Sequence, residues 1–304
     1  FSADTPRIVN EEEAAVGAAC IADVNGDSWP DLYVAKGGYS IWMPQTPALQ
    51  DELYLNDGKG NLQLSQSSLP DLSGSSKSCV RPADIDGDGD LDLFVGGRII
   101  PGRYPVSPES YLLINDGKGN FTKRPVPFDH IGMVTDAAWY DVNQDGRPDL
   151  FLAGEFMPLM VYLNAADGFE NATDDYFPEA LSGFWNTIDV EDFDGDGKVD
   201  ILAGNIGRNT PFQVSDKEPA ELHYADFDEN GSIDPFFCFY IQGKSYPYVS
   251  RDELNEQIYS MRRKFTSYKQ YAEATLQDIL NPDELSKDIT LSANEQKTLL
   301  LLQR

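Results

Sequence analysis

Short apolar runs alternate with acidic, glycine-bearing strings along most of the chain, and the alternation repeats. Four strings, DVNGDSWPD from Asp23, DIDGDGDLD from Asp84, DVNQDGRPD from Asp141 and DFDGDGKVD from Asp192, start 61, 57 and 51 residues apart. Each follows a mixed-apolar run (AACIA, VRPA, TDAAWY, WNTIDVE) and precedes a β-rich one (DLYVA, DLFVGG, DLFLAG, VDILAG). Runs of this composition bounded by Asp, Asn and Gly predict strands, so each unit opens as strand, acidic loop, strand. About 30 residues on, LYLNDGKGNL from Leu53 and LLINDGKGNF from Leu112 are nearly identical, and LMVYLNAADGFE from Leu159 is a weaker copy. Asn-Asp-Gly between apolar runs predicts a hairpin. Four antiparallel strands per unit, repeated at this period, predict the blades of a β-propeller.

A fifth string, DFDENGSID from Asp226, breaks the period, starting 34 residues after the fourth. In the first unit Asp57 of the hairpin lies equally far from Asp23, so LHYADFDENGSIDPFF is expected to replace the hairpin of the fourth blade. After Val249 the pattern changes to helix. Ser250 with Glu253 has capping-box spacing, and Leu254, Ile258, Met261 and Phe265 share one helical face. Ser267 with Gln270 repeats the box, and Asn281-Pro282 starts a third short helix. DITLSANEQKTLLLLQR reads as two strands, the second like the third strand of a blade. The expectation is therefore an all-β fold with four blades in residues 1–249 (about 15–70, 78–126, 133–173 and 185–245). A helical insertion over 250–288, packed on the side of the barrel, and strands of a further, incomplete blade over 289–304 follow. The propeller reads as incomplete or as a piece of a longer one.

Charge narrows the function. The 51 acids against 23 Lys and Arg give a formal charge of −28, which argues against a nucleic-acid phosphate backbone and against an anionic lipid surface. With 41% hydrophobic residues the chain still folds, and no apolar run reaches the length that spans a bilayer. Phe1 opens no signal-peptide pattern, so any export signal is expected to be removed or to lie outside this sequence. Cys20, Cys79 and Cys238 are scattered, odd in number and without CxxC spacing, and are expected to be buried small residues.

The acidic strings carry the clearest chemistry. Hard cations such as calcium take six to eight oxygen ligands. In a tight loop alternate residues point inward, so Asp84, Asp86 and Asp88 can share one ion. Position seven supplies a backbone carbonyl, Asp92 at position nine closes the shell, and Gly89 permits the bend. Two carboxylates about 4 Å apart repel by roughly 4 kcal/mol at an effective dielectric of 20, so five such loops call for counter-ions. EF-hands are excluded, because their twelfth position carries a bidentate Glu and here it is Val34, Val95, Leu152, Ala203 or Phe237.

DxDxDGxxD loops leading into DLxVG strands, with LYLNDGKGNF hairpins, resemble the FG-GAP/VCBS repeats of integrin-α-type β-propellers, over residues 15 to about 245. The nearest likeness is to large exported bacterial proteins of that class. The resemblance implies calcium between the first and second strands of each blade, four to five ions in all. By position the ligands are Asp23, Asn25, Asp27 and Asp31; Asp84, Asp86, Asp88 and Asp92; Asp141, Asn143, Asp145 and Asp149; and Asp192, Asp194, Asp196 and Asp200. Asp226, Asp228, Asn230 and Asp234 fit the motif at an unusual place in the blade, and Ser28 stands where the first loop would carry glycine.

Strand order places the acidic loops on one face and the long second–third loops on the other. The latter hold Lys36, Tyr39, Trp42, Arg98, Arg103, Tyr104 and Arg208, with His130 and Trp185 nearby. Trp42, Arg98, Arg103, Tyr104 and Arg208 are therefore the expected ligand residues, suited to a glycan or to a protein's carboxylates. The leading expectation is a calcium-stabilised binding or adhesion module outside the cytoplasm, not an enzyme. The alternatives are a lyase-like enzyme on polysaccharide, for which Glu155 is the carboxylate candidate, and an architectural part of a larger surface protein. No GxSxG, HExxH or phosphate loop is present.

Overall fold

The structure, a computed structural model, describes residues 15–38, 44–177 and 179–303. Two four-stranded antiparallel sheets come first, each in sequential order, and a third set of four sequential antiparallel strands follows within a seven-stranded sheet. β1 (Val16–Ala22), β2 (Asp31–Lys36), β3 (Glu52–Asn56) and β4 (Leu62–Ser65) form the first blade. β5 (Ser76–Ala83), β6 (Asp92–Ile99), β7 (Tyr111–Asn115) and β8 (Phe121–Arg124) form the second. β9 (Met133–Tyr140), β10 (Asp149–Pro158), β11 (Met160–Ala165) and β12 (Gly168–Asn171) form the third. The strings DLFVGG and DLFLAG are apolar without alternation because their sheets are covered on both faces, and every residue from Asp92 to Gly97 is buried.

Consecutive blades pack face to face, giving the propeller-like arrangement. Tyr33 and Leu53 of the first blade meet Leu93, Val95 and Leu113 of the second. Cys79, Phe94 and Leu112 of the second meet Val134, Leu150 and Leu152 of the third. Between them Phe128 takes edge contacts from Phe94, Tyr162 and Phe169 at ring-centroid distances of 5.9, 5.1 and 5.1 Å. Cys79 and Cys238 are buried and Cys20 half-buried, all as free thiols.

The fourth blade departs from the sequence reading. It consists of β13 (Ser182–Glu191), β14 (Asp200–Asn205) and, as third strand, β19 (Leu299–Leu301), with Ile201, Leu202 and Ala203 opposite Leu301, Leu300 and Leu299. The end of β10 also pairs with the start of β13, so the third and fourth blades share one hydrogen-bonded sheet. The fifth acidic string does not replace the hairpin of this blade, and residues 289–304 do not begin another. β15 (Ala220–Ala225) and β16 (Asp234–Ile241) flank that string in a sheet of their own, completed by β17 (Lys244–Pro247) beside β16 and β18 (Ile289–Ala293) beside β15. With both edges of β15 occupied, β14 takes its neighbour from the last strand of the chain. Residues 206–298 are thus an insertion between the second and third strands of the fourth blade.

The insertion has two sides. Phe236 and Cys238 face Leu254, Ile258, Met261 and Phe265, the stripe expected on the helices, along with Ile279. The helices therefore pack on the inserted sheet and not on the side of the propeller. The first of these helices is α2 (Arg251–Gln257), where Ser250 and Glu253 form the capping box; α1 (Thr173–Tyr176) is a short turn of helix after the third blade. Leu222, Phe237 and Leu291 on the other side pack toward Met133, Phe156 and Phe184 of the third and fourth blades. Both ends of the row of blades carry bare apolar positions, Ile21 (72% exposed), Leu62 and Leu64 on the first and Leu300 (52%) and Leu302 on the fourth. No helix among the described residues is long and apolar enough to cross a membrane.

Candidate functional site

Each acidic string folds around its first aspartate, whose carboxylate gathers the N–H groups of the following turn. Asp84 accepts from Gly87 N (2.8 Å) and Gly89 N (3.0 Å), and Asp192 from Gly195 N (2.7 Å) and Gly197 N (2.9 Å). Asp23, Asp141 and Asp226 do the same in their loops. This wrapping needs left-handed backbone at the sixth position, which Gly89, Gly146, Gly197 and Gly231 supply at φ from 86° to 94°. Ser28 adopts the same conformation at φ 69°.

The ninth-position aspartates do something the motif alone does not reveal. Asp31, Asp92, Asp149, Asp200 and Asp234 are at most 2% exposed. One oxygen accepts from the second residue of its own loop: Val24, Ile85, Val142, Phe193 or Phe227 N, at 3.0–3.2 Å. In the four blades the other oxygen accepts from the third strand or its continuation: Asn56, Asn115 and Asn164 N at 2.8 Å, and Gln303 N at 3.1 Å. Each carboxylate thus ties loop to sheet. Burial outweighs these hydrogen bonds and pushes Asp92 and Asp234 up to about 6, and raises Asp31 and Asp149 in the same direction.

A second tie links blades. Asn115 Nδ2 donates to Val24 O in the first loop (2.8 Å), and Asn164 Nδ2 to Ile85 O in the second (2.8 Å). In the second and third blades the asparagine before the hairpin therefore clamps the acidic loop of the preceding blade, while Asn56 in the first donates to Pro30 O of its own loop. Its recurrence at one offset in LYLN, LLIN and VYLN was the available signal.

The loops differ in how they could hold a dication. Carboxylate oxygens of Asp84, Asp86 and Asp88 lie within 4.8 Å of one another, as do those of Asp192, Asp194 and Asp200 and those of Asp226, Asp228 and Asp234. Such all-oxygen clusters have the donor chemistry of calcium. In the first and third loops an asparagine takes the third place. Asn25 Nδ2 donates to Asp27 and Asn143 Nδ2 to Asp145, each at 3.1 Å.

The expected ligand residues do not form one site. Arg98 forms an ion pair with Glu155, and its Nη1 is buried without a hydrogen-bond partner. Tyr104 and Glu155 line a cavity of about 310 Å³ with Phe156, Phe184, Phe212 and Phe237. The four phenylalanines stack edge to face, Phe156 on Phe184 at 4.8 Å and Phe212 on Phe237 at 5.1 Å. Phe156 sits at a bulge of β10 with φ 54°. Arg208 lines a separate, polar hollow of about 270 Å³ with Glu295 and Lys297, and Arg103 stays exposed. Trp42 and Tyr39 lie outside the described residues. Lys36 is buried against Glu52 (2.9 Å), and Trp185 is fully buried between the third and fourth blades, with Nε1 donating to Leu181 O (3.0 Å). Both are buried, so neither is presented to a ligand.

A family model, the FG-GAP-like repeat, matches residues 23–95 and 141–203. The chain carries FG-GAP-like repeats over these residues. The two matched stretches take in the first and second acidic loops and the third and fourth, each running from the loop of one blade through its hairpin into the second strand of the next. The fifth loop, in the inserted sheet, lies outside the match. No curated protein matches the chain.

Proposed function

We propose that this protein is a calcium-stabilised binding module that works outside the cytoplasm. Calcium is held by the acidic loops, and a glycan or protein ligand is taken at the opposite ends of the strands. The observation that carries the ligand half of this reading is the aromatic cavity. Its residues come from the β6–β7 connection, the end of β10, the start of β13 and the inserted sheet, away from the acidic loops of the blades. Four phenylalanine rings give a stacking wall, while Tyr104 and the carboxylate of Glu155 offer polar contacts at its margin. A few convergent polar groups on an apolar wall suit the apolar face and hydroxyls of a sugar ring, or an aromatic side chain of a partner. Calcium would cancel the repulsion within each carboxylate cluster and leave the loops rigid.

The test is a glycan array and a surface-protein panel probed with the intact chain and with Tyr104→Ala plus Phe212→Ala. A captured ligand lost by the double variant at unchanged melting temperature supports the reading. Equal binding by both refutes the cavity as the site. A second reading, an architectural part of a larger assembly, is favoured by the bare apolar positions at both ends of the blade row. An assembly that survives Ile21→Asp with Leu300→Asp is not built through those faces.

A further inference from the structure

The five acidic loops share a motif but not a charge state, and the third stands apart. Residues 84–92 carry five aspartates and no base, whereas residues 141–149 carry three aspartates and Arg147, so their formal charges are −5 and −2. Arg147 occupies the seventh position, where the other loops have Trp29, Asp90, Lys198 and Ser232. Its side chain folds back over the loop. The guanidinium Nη2 forms an ion pair with Asp145 Oδ2, and Nε donates to the carbonyl of Asn164 on β11.

The remaining carboxylate oxygens of this loop are also met by donors. Asp141 accepts from Asp145 N (3.0 Å) and Gly146 N (2.8 Å), and Asp145 Oδ1 from Arg147 N (3.0 Å). Asp149 accepts from Val142 N (3.0 Å) and Asn164 N (2.8 Å). The second, fourth and fifth loops each bring three carboxylates together, and the first and third do not; of these two only the third has a cation folded onto it. Position and sign do not suffice for this: Lys198, at the same place in the fourth loop, is exposed and makes no ion pair among the described residues.

We infer that Arg147 is the built-in cation of the third loop, so that this loop holds its shape without calcium while its neighbours depend on it. The guanidinium is always charged and planar, and its fork spans a carboxylate and a carbonyl at once, which a lysine ammonium on a flexible stem does not do as well. This rests on the proposal that the other loops bind calcium. The consequence is a blade row with one permanently set loop in its middle, beside β10, the strand that joins the third and fourth blades.

Native mass spectrometry and calorimetry of the intact chain, stripped with chelator and titrated with calcium, test it. Arg147→Ala is expected to bind one more ion than the wild type, and Lys198→Ala the same number as the wild type. Equal, non-zero numbers for wild type and Arg147→Ala overturn the inference and leave the calcium reading standing. No ion in any of the three overturns both. Should Arg147→Ala fail to fold, amide exchange of the wild type decides. Gly146 N–H is expected to be equally protected with calcium and with chelator, while Gly89 and Gly197 N–H lose protection in chelator. Calcium-dependent protection at Gly146 overturns the inference.

Discussion

Replacing Asp92 by alanine removes the acceptor of two backbone N–H groups at once, Ile85 N at 3.2 Å and Asn115 N at 2.8 Å, in a site 1% exposed. A buried donor left without a partner costs about 1–3 kcal/mol, so Asp92→Ala should lose about 2–6 kcal/mol. Asp92→Asn keeps one amide oxygen and turns an NH2 toward the other donor, so about 1–3 kcal/mol is expected. Both losses should appear in chelator, because the tie is made by protein groups alone. Asp86→Asn is the contrast: its side chain is exposed, and it should cost nothing in chelator while weakening calcium binding at the second loop. Urea unfolding of the intact chain, with and without calcium, measures all three. The acid limb gives an independent sign. Burial raises the folded Asp92 carboxyl to about 6, above the roughly 3.9 of an unfolded aspartate. Metal-free protein should therefore gain stability as pH falls through 6 toward 4, and part of that gain should vanish in Asp92→Asn. Calcium, which favours the ionised form, should suppress it. Asp92→Ala within about 0.5 kcal/mol of wild type in chelator, or fully rescued by calcium, would refute the tie.

Other expectations follow from single positions. Ser28→Gly relieves a left-handed backbone at φ 69° and should stabilise the metal-free protein by about 0.5–1 kcal/mol, read as a rise in melting temperature. Lys77 is buried between Asp51 Oδ1 (3.1 Å) and Leu49 O (2.6 Å), with Asp51 also bound by Tyr33 Oη (2.8 Å), so Lys77→Ala should cost about 3–5 kcal/mol by urea unfolding. Burial of His223 opposes its protonation, but Glu221 (3.7 Å) and Asp288 (2.7 Å) outweigh it and raise its pKa. Its contribution should be full below about 6.5 and fade as pH rises through the folded value; a melting profile of His223→Gln should lack that decline.

What was legible in the sequence was what local chemistry encodes. Strand, loop and hairpin repeat with their turn residues beside them, so the first three blades follow from the string alone. The capping box at Ser250 forms as its spacing predicts, that at Ser267 forms only the half in which Ser267 accepts from Gln270 N, and Asn281 caps the short helix it was expected to start. The third-strand character of KTLLLLQR was readable, but its partner was not, since β19 pairs with β14 across an insertion that leaves no local trace. Asp92 was readable as an acid in a cation loop. Its tie to Asn115 depends on a residue 23 positions away in the chain. Among the expected ligand residues, Arg98 has its charge met by Glu155, on the neighbouring blade. Aromatic residues spread over Phe156, Phe184, Phe212 and Phe237 show no spacing, and only the fold gathers them.

The inserted sheet also sets a timetable. On the ribosome the first three blades can each close as soon as their own hairpin emerges, because every strand pairs with its immediate successor. The fourth has to wait with β14 unpaired on one edge until Leu299 is made. At about 5–20 residues per second the residues 206–298 impose a delay of roughly 5–20 seconds. For that interval the nascent chain presents an open strand edge beside Leu202, the place where a chaperone or a misplaced strand would find it.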